Sequence, residues 1–234
     1  MVLIISNIAD PRSPCGGAEE PGHYGGALAA SLDLLDRPVT RAEALTFFSQ
    51  GHSGSRIAYE IVLSPPRSWS IIWGLGDSEV RQSLETSHAA ALVYAMAYVE
   101  KELSYTRRGR NGIAQIDASL LWAQFDHFSD WHERPDRHAH VLISAQVLGS
   151  DGQWGQLDVR PLRRNAEAET FQAAFRSSLA QHTRRAVGLR LESRPPFEFG
   201  EEPRLEFEGV PDELIMKFFG ESVSSWRESD WRVL

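Results

Sequence analysis

Three histidines lie close together near residue 130: His127, His138 and His140, within the stretch Phe125-Asp-His-Phe-Ser-Asp-Trp-His-Glu-Arg-Pro-Asp-Arg-His-Ala-His-Val-Leu-Ile-Ser144. His138 and His140 run into an apolar segment. In a β-strand, residues i and i+2 point to the same face. Two imidazoles therefore project side by side from one sheet surface, and His127 can join them from a neighbouring strand. Three neutral imidazoles converging on one point make a metal site with open coordination positions, as a catalytic metal requires. His132 lies between them and competes for the third position, but its surroundings (Asp130, Glu133, Pro135) read as a polar loop.

A carboxylate is the second candidate. Glu60 is the charged residue within Ile57-Ala-Tyr-Glu-Ile-Val-Leu63. Alternation puts it on the face of Val62, opposite Tyr59 and Ile61. There it is either solvent-exposed or buried for a purpose. If buried, it accepts the second N–H of a metal-ligating histidine or acts as a base.

The elements that must position these groups follow from pattern and punctuation. Residues 1–8 read as a strand, and 9–23, rich in Pro and Gly, as a loop. Gly26–Leu35 and Thr40–Ser49 read as short helices, with Thr40 and Glu43 forming a capping box. The strand carrying Glu60 ends at Pro65-Pro66, and Ser68–Trp73 is an apolar stretch, strand or helix start. Asp77 caps a long helix reaching Tyr105, with Val80, Leu84, Ala91, Tyr94, Ala95 and Tyr98 at helical spacing. Strands follow near Ala114–Phe128 and His138–Val147, then a turn at Gly149–Gly152 and a short extended piece at Leu157–Leu162. A helix runs from Asn165 to Gly188, with Phe171, Phe175 and Leu179 on one face. Short strands at Leu189–Arg194 and Pro203–Phe207 precede a last helix from Val210 through Phe219. Interspersed strands and helices of this kind make an α+β fold.

Composition bounds the function. The chain has 234 residues, 42% hydrophobic and 24% charged, ordinary for a soluble globular protein. One cysteine, Cys15, excludes an internal disulfide framework. Met1–Ile5 is too short an apolar run for a signal peptide, and no segment approaches a membrane span. These features point to a cytoplasmic protein with no membrane partner. The net charge of −8 argues against a generic nucleic-acid binder. The arginines are clustered, however, at Arg107-Arg108-Gly-Arg110, Arg160, Arg163-Arg164 and Arg184-Arg185, either as solvated turns and helix ends or as a local basic groove.

Taken together, these motifs resemble a known family. Glu60-Ile-Val-Leu-Ser-Pro-Pro-Arg-Ser-Trp-Ser70 is similar to the strand–turn segment of conjugative relaxases of the TrwC/TraI (MobF) type, which reads roughly Asp-x-Thr-Phe-Ser-Ala-Pro-Lys-Ser-Val-Ser. The histidine stretch resembles the three-His motif of those enzymes, with the same step from His127 to His138 and the same H-x-H. Asp151-Gly-Gln-Trp154, Asn165–Gly188 and Val210–Leu214 resemble the family's later turn and helices. The resemblance runs from Tyr24 to Phe219. It implies a relaxase-like domain over 24–234, preceded by an N-terminal strand and flexible loop over 1–23.

The resemblance implies an HUH-type endonuclease, with an antiparallel β-sheet flanked by helices. Such enzymes nick single-stranded DNA at an origin-of-transfer-like hairpin during conjugation and plasmid mobilisation. A divalent metal polarises the scissile phosphate while a tyrosine attacks it, stays linked to the 5′ phosphate and leaves a 3′ hydroxyl. By resemblance, His127, His138 and His140 are the metal ligands. The ion is expected to be Mg2+ or Mn2+, with Zn2+ or Ni2+ also compatible. Glu60 takes the place of the family's aspartate, one methylene longer. Arg67 replaces the family's lysine and can pair with a phosphate. Arg107 and Arg108 are further candidates for DNA contact.

The family carries paired tyrosines in a helix near its N-terminus, but residues 1–23 here contain none. Tyr24 is the first tyrosine, either the nucleophile or a surface residue on a flexible loop. Two alternatives accompany the relaxase reading: a degenerate homologue that binds single-stranded DNA without cutting it, and a small metallohydrolase using a metal-bound water. No G-x-x-x-x-G-K-[ST] segment is present, so no nucleotide cofactor is expected.

Overall fold

A computed structural model describes residues 6–7, 20–50, 57–130, 132–162, 165–197 and 200–219. In chain order the strands are β1 (Ser6–Asn7), β2 (Gly22–Gly25), β3 (Pro38–Val39), β4 (Ala58–Leu63), β5 (Tyr105–Arg108), β6 (Ala114–Ser119), β7 (Trp122–Ser129), β8 (Pro135–Ser144), β9 (Gln146–Gly149), β10 (Trp154–Gln156), β11 (Leu191–Arg194) and β12 (Arg204–Phe207). The helices are α1 (Ala27–Ser31), α2 (Arg41–Ser49), α3 (Arg67–Leu75), α4 (Ser78–Tyr98), α5 (Asn165–Val187) and α6 (Asp212–Phe219). Among the described residues, a main antiparallel sheet has the order β1-β4-β8-β7-β2-β3, a second has β10-β9-β6-β5, and β11 pairs with β12. The expected α+β class, an antiparallel sheet with flanking helices, is the fold observed.

The two faces of the main sheet are built differently. Tyr59, Ile61 and Leu63 of β4 and Ala139, Val141 and Ile143 of β8 form one core with Leu84, Ala91, Leu92, Ala95 and Met96 of α4 and Phe171, Phe175 and Leu179 of α5. The other face carries Tyr24, Ala58, Ala123, Phe125 and Leu142, covered by Leu28 of α1 and Ala44 and Phe48 of α2. β8 is buried along most of its length, as befits a central strand packed on both faces.

Local signals explain many boundaries. The Thr40–Glu43 capping box starts α2. The Asp77 carboxylate accepts from Val80 N at the start of α4. Gly188, at φ 80°, ends α5 in a left-handed conformation that suits glycine. The Ser64–Arg67 turn does not lead into a strand: Ser68–Trp73 lies in α3. The Ser68 hydroxyl donates to Glu206 and accepts from Phe207 N, which pins the start of α3 to β12.

Several expectations are corrected. Gly22 and His23, expected in a loop, begin β2, so Tyr24 is a strand residue and not a loop residue. A Cβ on Gly22 would lie 2.0 Å from Gln124 O, so glycine permits β2 to pack this close to β7. Residues 114–128 do not form one strand but split into β6 and β7, and β5 precedes them. The long helix continues past Tyr98 as a π-helical turn over Val99–Leu103. There the Glu100 carboxylate accepts from both Ala27 N and Leu120 N, which joins the start of α1 to the approach of β7. Tyr94, expected on the buried face of α4, is exposed. The strand expected over residues 1–8 is seen at Ser6–Asn7, paired with β4; the remainder of the expected 9–23 loop up to residue 19 lies outside the described residues. No helix among the described residues is long and apolar enough to cross a membrane.

Candidate metal centre

Strand register places the histidines. His127 pairs with His138, and Phe125 with His140, across β7 and β8. Cross-strand partners share a face, as do residues two apart, so all three imidazoles project from the face opposite α4 and α5. Their ring centroids lie 4.6–5.1 Å apart. One nitrogen from each falls within 4.8 Å of the others, and all three residues are buried. No carboxylate belongs to this set.

Hydrogen bonding orients two of the rings. His138 Nδ1 lies 2.8 Å from the Asp136 carbonyl, and His140 Nδ1 lies 2.8 Å from Glu60 Oε1. Both partners are acceptors, so Nδ1 carries the proton in each ring and Nε2 keeps its lone pair, the form a metal ligand needs. A set of neutral imidazoles at this spacing fits a divalent cation.

Glu60 is 7% exposed, so it is buried and not on a solvent face. It stands on the histidine face because Val62 pairs with His140 and Glu60 with Leu142. Burial alone would raise its pKa. The hydrogen bond from His140 and the nearby Arg41 guanidinium outweigh that and lower it to about 2. Arg41 Nη2 donates to the same Oε1 at 2.7 Å. A carboxylate so held is a fixed acceptor for His140 and is poorly suited to take up a proton. Arg41 was not among the expected site residues. It sits at the first turn of α2, next to the Thr40 cap, where an arginine reads as an ordinary exposed helix residue.

The other expected residues are dispersed. Tyr24 pairs with Ala123, so it shares the histidine face, but it stands four residues along β7 from His127. That is about 13 Å at roughly 3.3 Å per residue. Tyr24 is 5% exposed, its ring packs against Phe47 and Phe48, and burial first, then the charge of Glu43, raises its pKa. As folded, Tyr24 is not brought to the histidines. Tyr59 belongs to the opposite core, Tyr94 and Tyr98 to α4, and Tyr105 to β5.

Arg67 opens α3 with its guanidinium 5.0 Å from the Phe219 ring centroid, while Arg134 lies 5.8 Å from the same ring. Burial lowers the Arg67 pKa; the charges of Asp136 and Glu206 oppose this, and that of Arg134 adds to it. Two guanidiniums thus flank one ring, and Arg134 belongs to the turn between β7 and β8. Arg107 and Arg108 are elsewhere, on β5 in the second sheet. Arg107 pairs with Asp158 at 2.8 Å and Arg108 with Asp151 at 2.9 Å. His132 is exposed in the turn, its backbone N donating to Asp130; it does not join the cluster.

Known proteins share this fold. The family model described as TrwC relaxase matches residues 15–220. The fold is similar to that of conjugative relaxase TrwC complexed with a 27-mer DNA comprising the recognition hairpin and the cleavage site. The TM-score is 0.68 at 20% identity, over 89% of this chain and 76% of that one. A metal-bound structure of TrwC in complex with OriT DNA is similar at TM-score 0.66 and 21% identity, over 89% and 74%. A complex of TrwC with mutant OriT DNA gives 0.65 and 21%, over 88% and 75%. At this identity the likeness to those structures is one of fold. No curated protein matches the chain significantly. With the family model spanning most of its length, the chain belongs to the TrwC relaxase family.

Proposed function

We propose that this protein nicks single-stranded DNA beside an origin-of-transfer-like hairpin and transfers the strand, with His127, His138 and His140 holding one divalent cation. The observation that carries this reading is the convergence of three buried imidazoles on one sheet face, in a chain of this family. A cation held there supplies Lewis-acid polarisation of the scissile phosphate. Three imidazoles without a carboxylate favour Mn2+ over Mg2+ and bind Zn2+ or Ni2+ more tightly still.

The chain's own residues do the remaining work. Glu60, kept ionised by Arg41, fixes the ring of His140. Arg67 and Arg134 supply positive charge for DNA phosphates at the α3 end of the site. Of the five tyrosines in this sequence, Tyr24 stands on the histidine face, so we assign it the attack. Its oxygen bonds to phosphorus, the P–O3′ bond breaks, and the phenolic proton is released as the 3′ oxygen takes one up. This requires Tyr24 to leave its seat against Phe47 and Phe48. This reading places the reaction in the cytoplasm.

The test is incubation with a pool of oligonucleotides, each a hairpin followed by a random single-stranded tail, with Mn2+ or Mg2+. A nicked product joined to protein, absent from His138→Ala, supports the proposal; intact DNA under all conditions contradicts it.

A further inference from the structure

Arg137 is 3% exposed and lies directly beneath the metal centre on the helix side of the sheet. Its neighbour His138 projects from the opposite face, just as Asp126 lies behind its own neighbour His127. Arg137 Nη1 donates to Asp126 Oδ1 at 3.1 Å and to the His138 carbonyl at 3.0 Å. Its Nε donates to Glu85 of α4 at 3.1 Å, and its backbone N donates to Ser70 Oγ of α3 at 3.1 Å. The guanidinium also lies 4.8 Å from the Phe128 ring centroid. Phe128 in turn stacks on Trp73 of α3 at 5.8 Å. One residue, through its side chain and its backbone N, thus ties α3, α4, β7 and β8 together behind the ligands.

The location gives this network a purpose. His127↔His138 is the last regular pair of the β7–β8 ladder: the register shifts between His127 and Ser129. A bulge frees the local backbone and can re-aim side chains, and a one-residue slip would turn His127 to the wrong face. Arg137 joins Asp126 to the His138 carbonyl on the regular side of the shift and packs Phe128 within it. A buried arginine is costly unless paired, and a buried ion pair is weak evidence of a role in stability. Here two carboxylates, a carbonyl and an aromatic face satisfy it in a geometry that a flexible ammonium cannot match.

We propose that Arg137 is a positioning residue for the metal centre, holding the His127–His138 pair in place before the cation binds. This deepens the function proposed above and rests on its metal site. The test titrates Co2+ alone into the metal-free protein, following d–d absorption and heat. Arg137→Met should weaken Co2+ binding by about 10- to 100-fold, as loss of a residue supporting the ligands does, and alter the d–d spectrum of protein that remains folded by circular dichroism. Arg137→Lys should restore it only in part. Should Arg137→Met not fold, Asp126→Asn carries the test, with weaker Co2+ binding expected. Wild-type affinity and spectrum in folded Arg137→Met, or in Asp126→Asn where the first does not fold, overturn the inference. Failure of the wild type itself to bind Co2+ overturns the metal reading instead.

Discussion

Glu60 and His140, eighty residues apart in the chain, meet at 2.8 Å through Oε1 and Nδ1. The contact follows from the antiparallel pairing of β4 with β8, which sets Val62 opposite His140 and leaves Glu60 two residues along on the same face. Glu60→Ala removes the acceptor that fixes the ring. We expect about a 10- to 100-fold loss of metal affinity, measured by calorimetry, with a smaller loss for Glu60→Gln, which keeps an oxygen acceptor. Equal affinity in all three proteins would show that His140 needs no such partner.

Arg41 stands behind that pair, and its removal leaves the buried Glu60 carboxylate with one charged partner fewer. Breaking a buried ion pair from one side costs about 3–5 kcal/mol. Arg41→Met should fall at or somewhat below that range in urea unfolding, since the His140 N–H still serves Glu60. A loss below about 1 kcal/mol, the range of surface pairs, would place the pair in effective contact with solvent.

The sequence made the metal face legible and hid what supports it. The H-x-H pair declares its face by strand alternation alone, and the spacing of His127 survives because β7 and β8 form an adjacent antiparallel pair. Glu60 was readable as a candidate, but its burial depends on α2 covering that face, which no local pattern encodes. Arg41 and Arg137 were missed for the same reason: Glu60 lies nineteen residues from Arg41, and Glu85 fifty-two from Arg137. Strand β2 was missed because Gly-His-Tyr-Gly lacks apolar alternation; its glycines serve close approach to β7. Tyr24 looked like a loop residue for that reason, although it is part of the core.

Tyr24→Phe separates binding from chemistry. As folded, the hydroxyl stands away from the histidines, so its loss should leave Mn2+ affinity and single-stranded DNA affinity unchanged. Covalent adduct formation should disappear, because the other tyrosines of this sequence stand on the opposite face, on α4 or on the second sheet. A covalent adduct that survives in Tyr24→Phe, resolved by denaturing gel, removes Tyr24 from the mechanism.

The arginines should differ in DNA binding. Arg67 flanks Phe219 together with Arg134, whereas Arg107 and Arg108 are paired with Asp158 and Asp151. In fluorescence titrations against salt, Arg67→Met should lower the slope of log K on log salt by about 1. Arg107→Met should leave it nearly unchanged. The reverse pattern would move the DNA path to the second sheet.

His88 gives the fold a pH dependence. It is fully buried between Trp69 and Phe175. Burial first, then the charge of Arg137, holds its pKa well below the usual histidine value. The unfolded chain therefore binds a proton at this residue below about pH 6.5 while the folded one does not, so stability falls as pH drops through that value. His88→Leu should flatten the difference in unfolding free energy between pH 7.5 and 5.5. An unchanged difference would assign the pH dependence to other groups.

The most direct test of the account is metal-dependent nicking. The hairpin oligonucleotide pool is incubated with wild-type protein and with His127→Ala, His138→Ala and His140→Ala, each with Mn2+ and with EDTA. The account predicts a nicked strand carrying bound protein only for the wild type with Mn2+. Nicking that persists in EDTA, or in any of the three histidine variants at the wild-type rate, would contradict it.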